Sequence, residues 1–274
     1  LILGKPQSDD TDGHNVYTRA ANAFRTWRAE KVLICDPQPS LYLYVQNFKI
    51  PGDSKGAEWE RRGFIALGQL EDYEARVVFR HEQTLSKPKA DRLNLLRATQ
   101  AHFGQIFMLY SDPECVVESA LRPDGPPLTE VRDEYEVLHR MWKVSDPAVI
   151  RFVQAAMAGK KLIIADGHHR YETSLNYRNE RRARDGHAPD APWERTMMTL
   201  VNMDAPGLVI LPTHRVVFGL ENFSVSSMIA KLRESFAVEE LGGFTSYNAG
   251  LERLHRTGQN QTALLAVTAG ATFL

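Results

Sequence analysis

Apolar residues recur at helical spacing in several parts of the chain, and polar or proline residues bound each run. In 16–29 the apolar positions lie three or four residues apart, which predicts an amphipathic helix. Pro88 opens a second predicted helix that ends near Ala101, because proline is favoured in a first helical turn. Asp146 and Pro147 cap a third helix in the same way. Two further amphipathic helices are predicted at 224–236 and 247–256.

Alternating or short apolar runs predict strands between these helices. Residues 41–50 and 63–70, separated by a Pro-Gly loop, predict a long hairpin, and 129–135 with 137–144 predict a second antiparallel pair. The remaining predicted strands are 77–85, 105–110, 161–165, 195–202, 208–218 and 262–274. This mixture of hairpins and helices predicts an α+β fold, with mixed or antiparallel sheets packed against helices.

The sequence indicates the domain organisation less clearly than it indicates the helices and strands. A boundary is expected near Ser145, between an N-terminal α+β region (1–145) and a second region (146–274). The alternative is one intertwined body, in which strands from the two regions pair. Leu1 is not an initiator methionine, and the apolar run at 262–274 stops without a terminal element. We therefore expect further sequence beyond both ends.

The segment 162–175, LIIADGHHRYETSL, joins a short apolar strand to a polar helix through an ionisable turn. Five residues of this turn could bind a ligand: Asp166, Gly167, His168, His169 and Arg170. Glycine lets the backbone approach a ligand closely, and a first helical turn offers unpaired N–H groups at the positive end of the helix dipole. The pattern favours a phosphate or nucleotide site. The alternative is that Asp166 caps an ordinary surface helix.

A second cluster packs six ionisable residues into a short segment: Arg80, His81, Glu82, Lys87, Lys89 and Arg92. Glu82 or His81 could act as a general base, while the basic side chains could neutralise a transferring phosphate. These groups could equally pair with one another across a surface loop. His139 and Arg140, in the predicted strand 137–144, are interpreted as surface groups.

Zinc chemistry is not expected. Cys35 and Cys115 have no metal-ligand spacing and are too few for a disulfide framework. The HEQTL segment (81–85) lacks the second histidine of a zinc-protease helix. His168 and His169 are poor joint ligands, because adjacent helical residues point about 100° apart.

Composition and missing motifs exclude several function classes. The net charge of −1 does not favour a nucleic-acid partner. The sequence has no P-loop, no Gly-x-Gly-x-x-Gly after a strand and no Gly-x-Ser-x-Gly elbow. No apolar run is long enough for a membrane helix, and no signal peptide opens the chain. We expect a cytoplasmic protein with small-molecule partners, and a homo-oligomer is left open.

The DGHHR turn resembles the signature of the ParB/sulfiredoxin-like superfamily, in which the corresponding turn binds nucleotide phosphates and some members are free-serine kinases. The wider chain resembles the domain of unknown function 1015 family. This resemblance rests on six blocks spread over about 115 residues in the middle of the chain: 61–73, 78–85, 89–92, 105–113, 133–144 and 162–175.

The resemblance implies a ParB-like core around 161–180 and a kinase-like phosphotransferase that uses ATP or ADP with Mg²⁺. Its substrate would be a small hydroxylated metabolite such as free serine. The phosphate-binding turn would consist of Gly167, His168, His169 and Arg170, and Arg80 and Lys87 of the second cluster would hold the acceptor or the transferring phosphate. Glu82 is the candidate base, His81 is a second one, and Asp166 is the candidate Mg²⁺ ligand.

Two other functions stay open at this point. A nucleotide-binding regulatory module would bind the nucleotide without turning over an acceptor. A structural protein with a degenerate site would bind no nucleotide.

Overall fold

The computed structural model describes residues 4–50, 56–82, 86–210, 214–241, 247–268 and 272–273. The chain divides into two compact units, Leu1–Ile210 and Leu211–Leu274. This division differs from the boundary expected near Ser145, which falls inside the first unit. Strands from both sides of Ser145 share one sheet there, as in the alternative of an intertwined body.

The first unit combines one large sheet with helices. Its described strands are β1 Leu41–Lys49, β2 Glu58–Gln69, β3 Val78–Phe79, β4 Ile106–Tyr110, β5 Thr129–Arg132, β6 Leu138–Val144, β7 Leu162–Asp166 and β8 Arg195–Asn202. Its described helices are α1 Val16–Ala29, α2 Ser86–Thr99, α3 Val116–Ala120, α4 Pro147–Met157 and α5 His168–Asp185. Short 3₁₀ turns at Tyr73–Ala75 and Pro192–Glu194 lead into β3 and β8.

The sheet is mixed, with the strand order β3-β7-β4-β8-β2-β1-β6-β5. The β1–β2 and β5–β6 hairpins confirm the antiparallel pairs read from the alternation of side chains. Two strand pairs are parallel, β3 with β7 and β4 with β8. The α+β class with a mixed sheet is therefore confirmed.

The two faces of the central strands have different chemistry. One face carries the core: Leu43 lies opposite Phe64, Phe64 opposite Leu200, and Met108 opposite Leu200, all of them buried. Successive side chains of a strand point to opposite faces of the sheet, so the residues next to these core residues in sequence lie on the second face. We call this second face the polar face for the side chains of Tyr44, Gln46, Arg61 and Thr199, which lie on it beside Gly63, Phe107 and Val201.

Several helix termini follow from local sequence. Asn15 caps α1, where its side chain accepts from the N–H groups of Tyr17 and Thr18. Asp146 caps α4 by accepting from Ala148 N–H, and Pro147 occupies the first turn, as its fixed φ favours. These two helices begin where the sequence predicts, because their caps are local.

Strand prediction was wrong where an apolar run lacks a pairing partner. Residues 208–210 and 214–218 of the predicted strand 208–218 form no strand, and 211–213 lie outside the described residues. Ile210 and Val216 are exposed, so the apolar side chains of this run are not buried against a sheet. The predicted strand 77–85 is limited to β3, with 83–85 outside the described residues.

The second unit is smaller and is described by itself. It contains α6 Val225–Leu232, α7 Tyr247–Gly258 and an antiparallel pair, β9 Ala266–Val267 with β10 Thr272–Phe273. Ser224 caps α6 by accepting from Ser227 N–H. The predicted terminal strand is thus limited to two short segments in the described residues.

Candidate functional site

The turn between β7 and α5 is built around a glycine in a left-handed conformation. Gly167 has φ = +93° and occupies the N-cap position of α5, where no side chain caps the helix. Asp166 is the last residue of β7 rather than the cap, so the helix begins with its first N–H groups uncapped by side chains. Only glycine adopts such a φ without strain. The sequence therefore forms a strand, a tight turn and an open helix N-terminus.

A pocket of about 490 Å³ lies at this turn, and we call it the turn pocket. Its polar lining comes from α2, α5 and the segments beside them: Glu82, Arg92, His102, Asp166, His168, His169, Arg170 and Thr173. The volume lies within the range of small-molecule sites. The turn and Glu82, about 84 residues apart in sequence, are thus brought together.

Arg170 is held over the turn by two glycines and a carboxylate. Its Nη2 donates to Asp166 Oδ2 at 2.5 Å. A Cβ on Gly167 would lie 2.9 Å from Arg170 Nε, and one on Gly104 would lie 3.1 Å from Nη1. Both glycines therefore make room for the guanidinium, which places a fixed positive charge at the pocket.

His168 is the buried member of the site, with only 2% of its surface exposed. Its Nδ1 lies 3.1 Å from Glu82 Oε1, and its Nε2 lies 3.5 Å from the backbone nitrogen of His81. Burial lowers the pKa of His168, although the Glu82 carboxylate opposes the shift. A neutral ring that donates from Nδ1 to Glu82 fits both neighbours.

The same three residues form a possible metal-binding cluster. One potential ligand atom from each of His81, Glu82 and His168 lies within 4.8 Å of the other two. Imidazole nitrogens suit zinc and other transition metals, whereas Mg²⁺ prefers oxygen ligands. Sequence spacing gave no reason to expect zinc, because these ligands come from separate parts of the chain. Asp166 is 73% exposed and remains the candidate oxygen ligand for Mg²⁺.

Of the two other expected phosphate ligands, Arg80 lies apart from this arrangement. The Arg80 guanidinium is ion-paired with Glu172 at 3.1 Å and lies over the Tyr73 ring, 4.6 Å from its centroid. Arg80 is absent from the described lining of the turn pocket. Lys87 belongs to the first turn of α2, and its side chain lies outside the described part of the structure.

A second pocket, of about 250 Å³, opens on the polar face of the sheet; we call it the sheet pocket. Its polar lining is Tyr44, Gln46, Arg61, Gln105, Asp166, Arg170 and Thr199. Asp166 and Arg170 line both pockets. Sequence reasoning missed this site, because its residues come from five strands. The available signal was the polar side chains at alternate positions of β1 and β2.

His139 also differs from its interpretation as a surface group. The Tyr44 hydroxyl lies 2.5 Å from His139 Nδ1, and His139 Nε2 lies 3.0 Å from Asp133 Oδ2. Tyr44 therefore has two further polar residues behind it.

Comparison with known proteins gives a family but no named activity. The family model described as "Protein of unknown function (DUF1015)" matches residues 1–273. Neither the curated proteins nor the solved structures gave a match. Among the described residues, no helix has the length and apolar character to cross a membrane. Since the family model spans nearly the whole chain, the protein belongs to the DUF1015 family.

Proposed function

We propose that this protein is a nucleotide-dependent phosphotransferase that acts on a small hydroxylated metabolite, with free serine as a candidate. The observation that carries the proposal is the turn pocket. There the uncapped N-terminus of α5, two histidines and Arg170 surround a cavity of about 490 Å³. The resemblance of DGHHR to the ParB/sulfiredoxin-like signature supports the same chemistry.

The binding step needs positive charge and close backbone approach. Phosphate oxygens would accept from the first N–H groups of α5 and from Arg170, while Gly167 lets the phosphate reach the backbone. His169 adds a further side chain at the same pocket. Mg²⁺, held through Asp166, would neutralise charge on the phosphates of ATP or ADP. A nucleotide donor fits the cytoplasmic location expected from the sequence.

The transfer step needs a base for the acceptor hydroxyl. Glu82 is half-exposed at the pocket, and His168 holds one of its oxygens at 3.1 Å. Glu82 would take the hydroxyl proton as the acceptor oxygen forms a bond to the terminal phosphorus. The bond from that phosphorus to the nucleotide oxygen breaks, and the shortened nucleotide leaves.

The first test measures nucleotide binding. Thermal shift and calorimetry with ATP, ADP, CTP and GTP plus Mg²⁺ should give one or more nucleotides that stabilise the protein. His169→Ala should weaken this binding at least about 10-fold, because it removes a phosphate donor. His187→Ala is the matched control, since His187 is exposed just beyond the other end of α5. If no nucleotide binds, the proposal is wrong.

The second test separates catalysis from regulation. Phosphorus NMR with Mg²⁺, the bound nucleotide and hydroxylated acceptors should detect a phosphorylated acceptor. Glu82→Gln should keep nucleotide binding and lose turnover. Unchanged turnover would remove Glu82 from the role of base, and nucleotide binding without any turnover would favour the regulatory module.

A further inference from the structure

The sheet pocket contains a partly buried cation that no described carboxylate neutralises. Arg61 donates from Nε and Nη2 to Gln46 Oε1, at 2.9 and 2.6 Å. Phe48 and Phe107 lie beside it, with ring centroids 5.7 and 5.5 Å from Cζ. Among the described residues, none forms an ion pair with Arg61. Burial partly desolvates this guanidinium and lowers its pKa.

Such a charge costs free energy until an anion offsets it. The Gln46 amide oxygen carries only a partial negative charge, and it uses one side of the planar guanidinium. Nη1 has no hydrogen-bond acceptor among the described residues. Arginine binds carboxylates through two parallel N–H groups, so the remaining donors suit a small organic anion.

A hydrogen-bonded chain beside Arg61 supplies a second recognition group. If Asp133 accepts from His139 Nε2–H, His139 Nδ1 carries a lone pair and accepts from the Tyr44 hydroxyl. Burial raises the pKa of Tyr44, so this hydroxyl is protonated at neutral pH. The Tyr44 oxygen then retains lone pairs that can accept from a ligand hydroxyl or ammonium group.

The size of the cavity limits the ligand. At about 250 Å³ the sheet pocket is smaller than the usual drug-sized site of about 300–1,000 Å³. It therefore suits a small metabolite rather than a nucleotide. Asp166 and Arg170, which line both pockets, connect it to the turn pocket.

We propose that the sheet pocket binds a small hydroxylated carboxylic acid, with its carboxylate on Arg61 and a hydroxyl or amino group on Tyr44. The role of the sheet pocket as the acceptor site rests on the proposed phosphotransferase function. The acceptor hydroxyl would then extend past Asp166 and Arg170 into the turn pocket, where it would meet Glu82 and the transferring phosphate. The proposal that this pocket binds such acids depends only on the positions of Arg61 and Tyr44.

Calorimetry on the whole chain tests the proposal with four probes: L-serine, D-glycerate, ethanolamine and inorganic phosphate. We expect serine or glycerate to bind and ethanolamine, which lacks the carboxylate, not to bind. Arg61→Gln should weaken acid binding about 10- to 100-fold, because charge-assisted hydrogen bonds are lost. Arg61→Lys keeps the positive charge but lacks the planar guanidinium, so its affinity for the acid should lie between those of the wild type and Arg61→Gln. Arg62→Gln is the matched control, since Arg62 is exposed and pairs with Glu60.

Three results would overturn the inference: no binding of either acid, equal binding to wild type and Arg61→Gln, or Arg61-dependent binding of phosphate alone. Circular dichroism of each variant shows whether it is folded, and Arg61→Lys supplies a second test if Arg61→Gln is not. Titration of ADP and ATP into the same proteins separates this inference from the proposed function. If the protein binds the acid but no nucleotide, the proposed carboxylate site is supported and the proposed phosphotransferase function is wrong.

Discussion

The turn pocket and the sheet pocket meet at Asp166 and Arg170, yet their residues are distributed very differently along the chain. Five adjacent residues, Asp166 to Arg170, contribute to the turn pocket. The sheet pocket takes its lining from strands β1, β2, β4, β7 and β8 and the residues beside them. A turn brings chemistry together through local backbone geometry, whereas a sheet does so through strand order and register. The same molecule therefore shows one site that sequence reading finds and one that it does not.

The largest effect is expected at the residue that the two pockets share. Arg170→Ala removes a guanidinium from both cavities and leaves Asp166 without its ion-pair partner. Loss of a charge-assisted contact to an anion should weaken nucleotide and hydroxy-acid binding, each by up to about 100-fold. Calorimetry with both ligands measures this change.

Arg181→Ala is the control for the Arg170 variant, because Arg181 lies three turns along the same helix and pairs with Asp185. It should leave both affinities unchanged. If Arg170→Ala weakens the binding of only one ligand, the two pockets do not share a functional residue.

The sequence predicts the local elements of the fold, but it does not predict the contacts that bring distant residues into the two pockets. The α1 helix, the two hairpins and the strand before the DGHHR turn follow from periodicity and local caps, so the sequence predicts them. The meeting of Glu82 with His168 depends on the pairing of β3 with β7, the strand that leads into α5, and sequence spacing does not contain it. Tyr44 and Arg61 face one pocket because of a register between two strands, and no linear motif records a register. The apolar run around Val216 was wrongly predicted as a strand for the same reason. A strand forms only where another strand is in position to pair with it, and the sequence of the run does not show this.

The second effect concerns the backbone of the turn pocket. Gly167→Ala places a Cβ at φ = +93°, 2.9 Å from Arg170 Nε. The left-handed conformation alone should cost about 1–2 kcal/mol, and displacement of Arg170 should also weaken nucleotide binding. For a unit of this size we expect the melting temperature to fall about 2–4 °C per kcal/mol.

Gly159→Ala provides the comparison for Gly167→Ala, because a Cβ there meets no described atom and φ is not in the left-handed region. Its melting temperature should match that of the wild type. An equally stable Gly167→Ala protein with normal nucleotide affinity would show that the turn does not require glycine.

A smaller effect should distinguish the sheet pocket from the turn pocket. Tyr44→Phe removes the hydroxyl beside His139 and keeps the ring on the polar face. Loss of one neutral hydrogen bond should weaken hydroxy-acid binding about 3- to 10-fold while nucleotide affinity stays constant. Tyr42→Phe, on the same strand but outside the pocket lining, is the control. A parallel loss of nucleotide affinity would mean that Tyr44 acts through the fold and not through its ligand.

The smallest effect is a pH dependence that belongs to the turn pocket. Burial lowers the pKa values of His102 and His168 from 6.5, and Glu82 only partly opposes the shift at His168. As the pH falls below about 6.5, the unfolded chain binds protons that the folded protein does not yet accept, so stability decreases. Above that value both forms are neutral and the stability is fully present. Urea unfolding between about pH 7.5 and about pH 5.5 should show a smaller loss for His168→Gln than for the wild type. His187→Gln should retain the wild-type slope, and an unchanged slope in His168→Gln would mean that His168 is as easily protonated in the folded protein as in the unfolded chain.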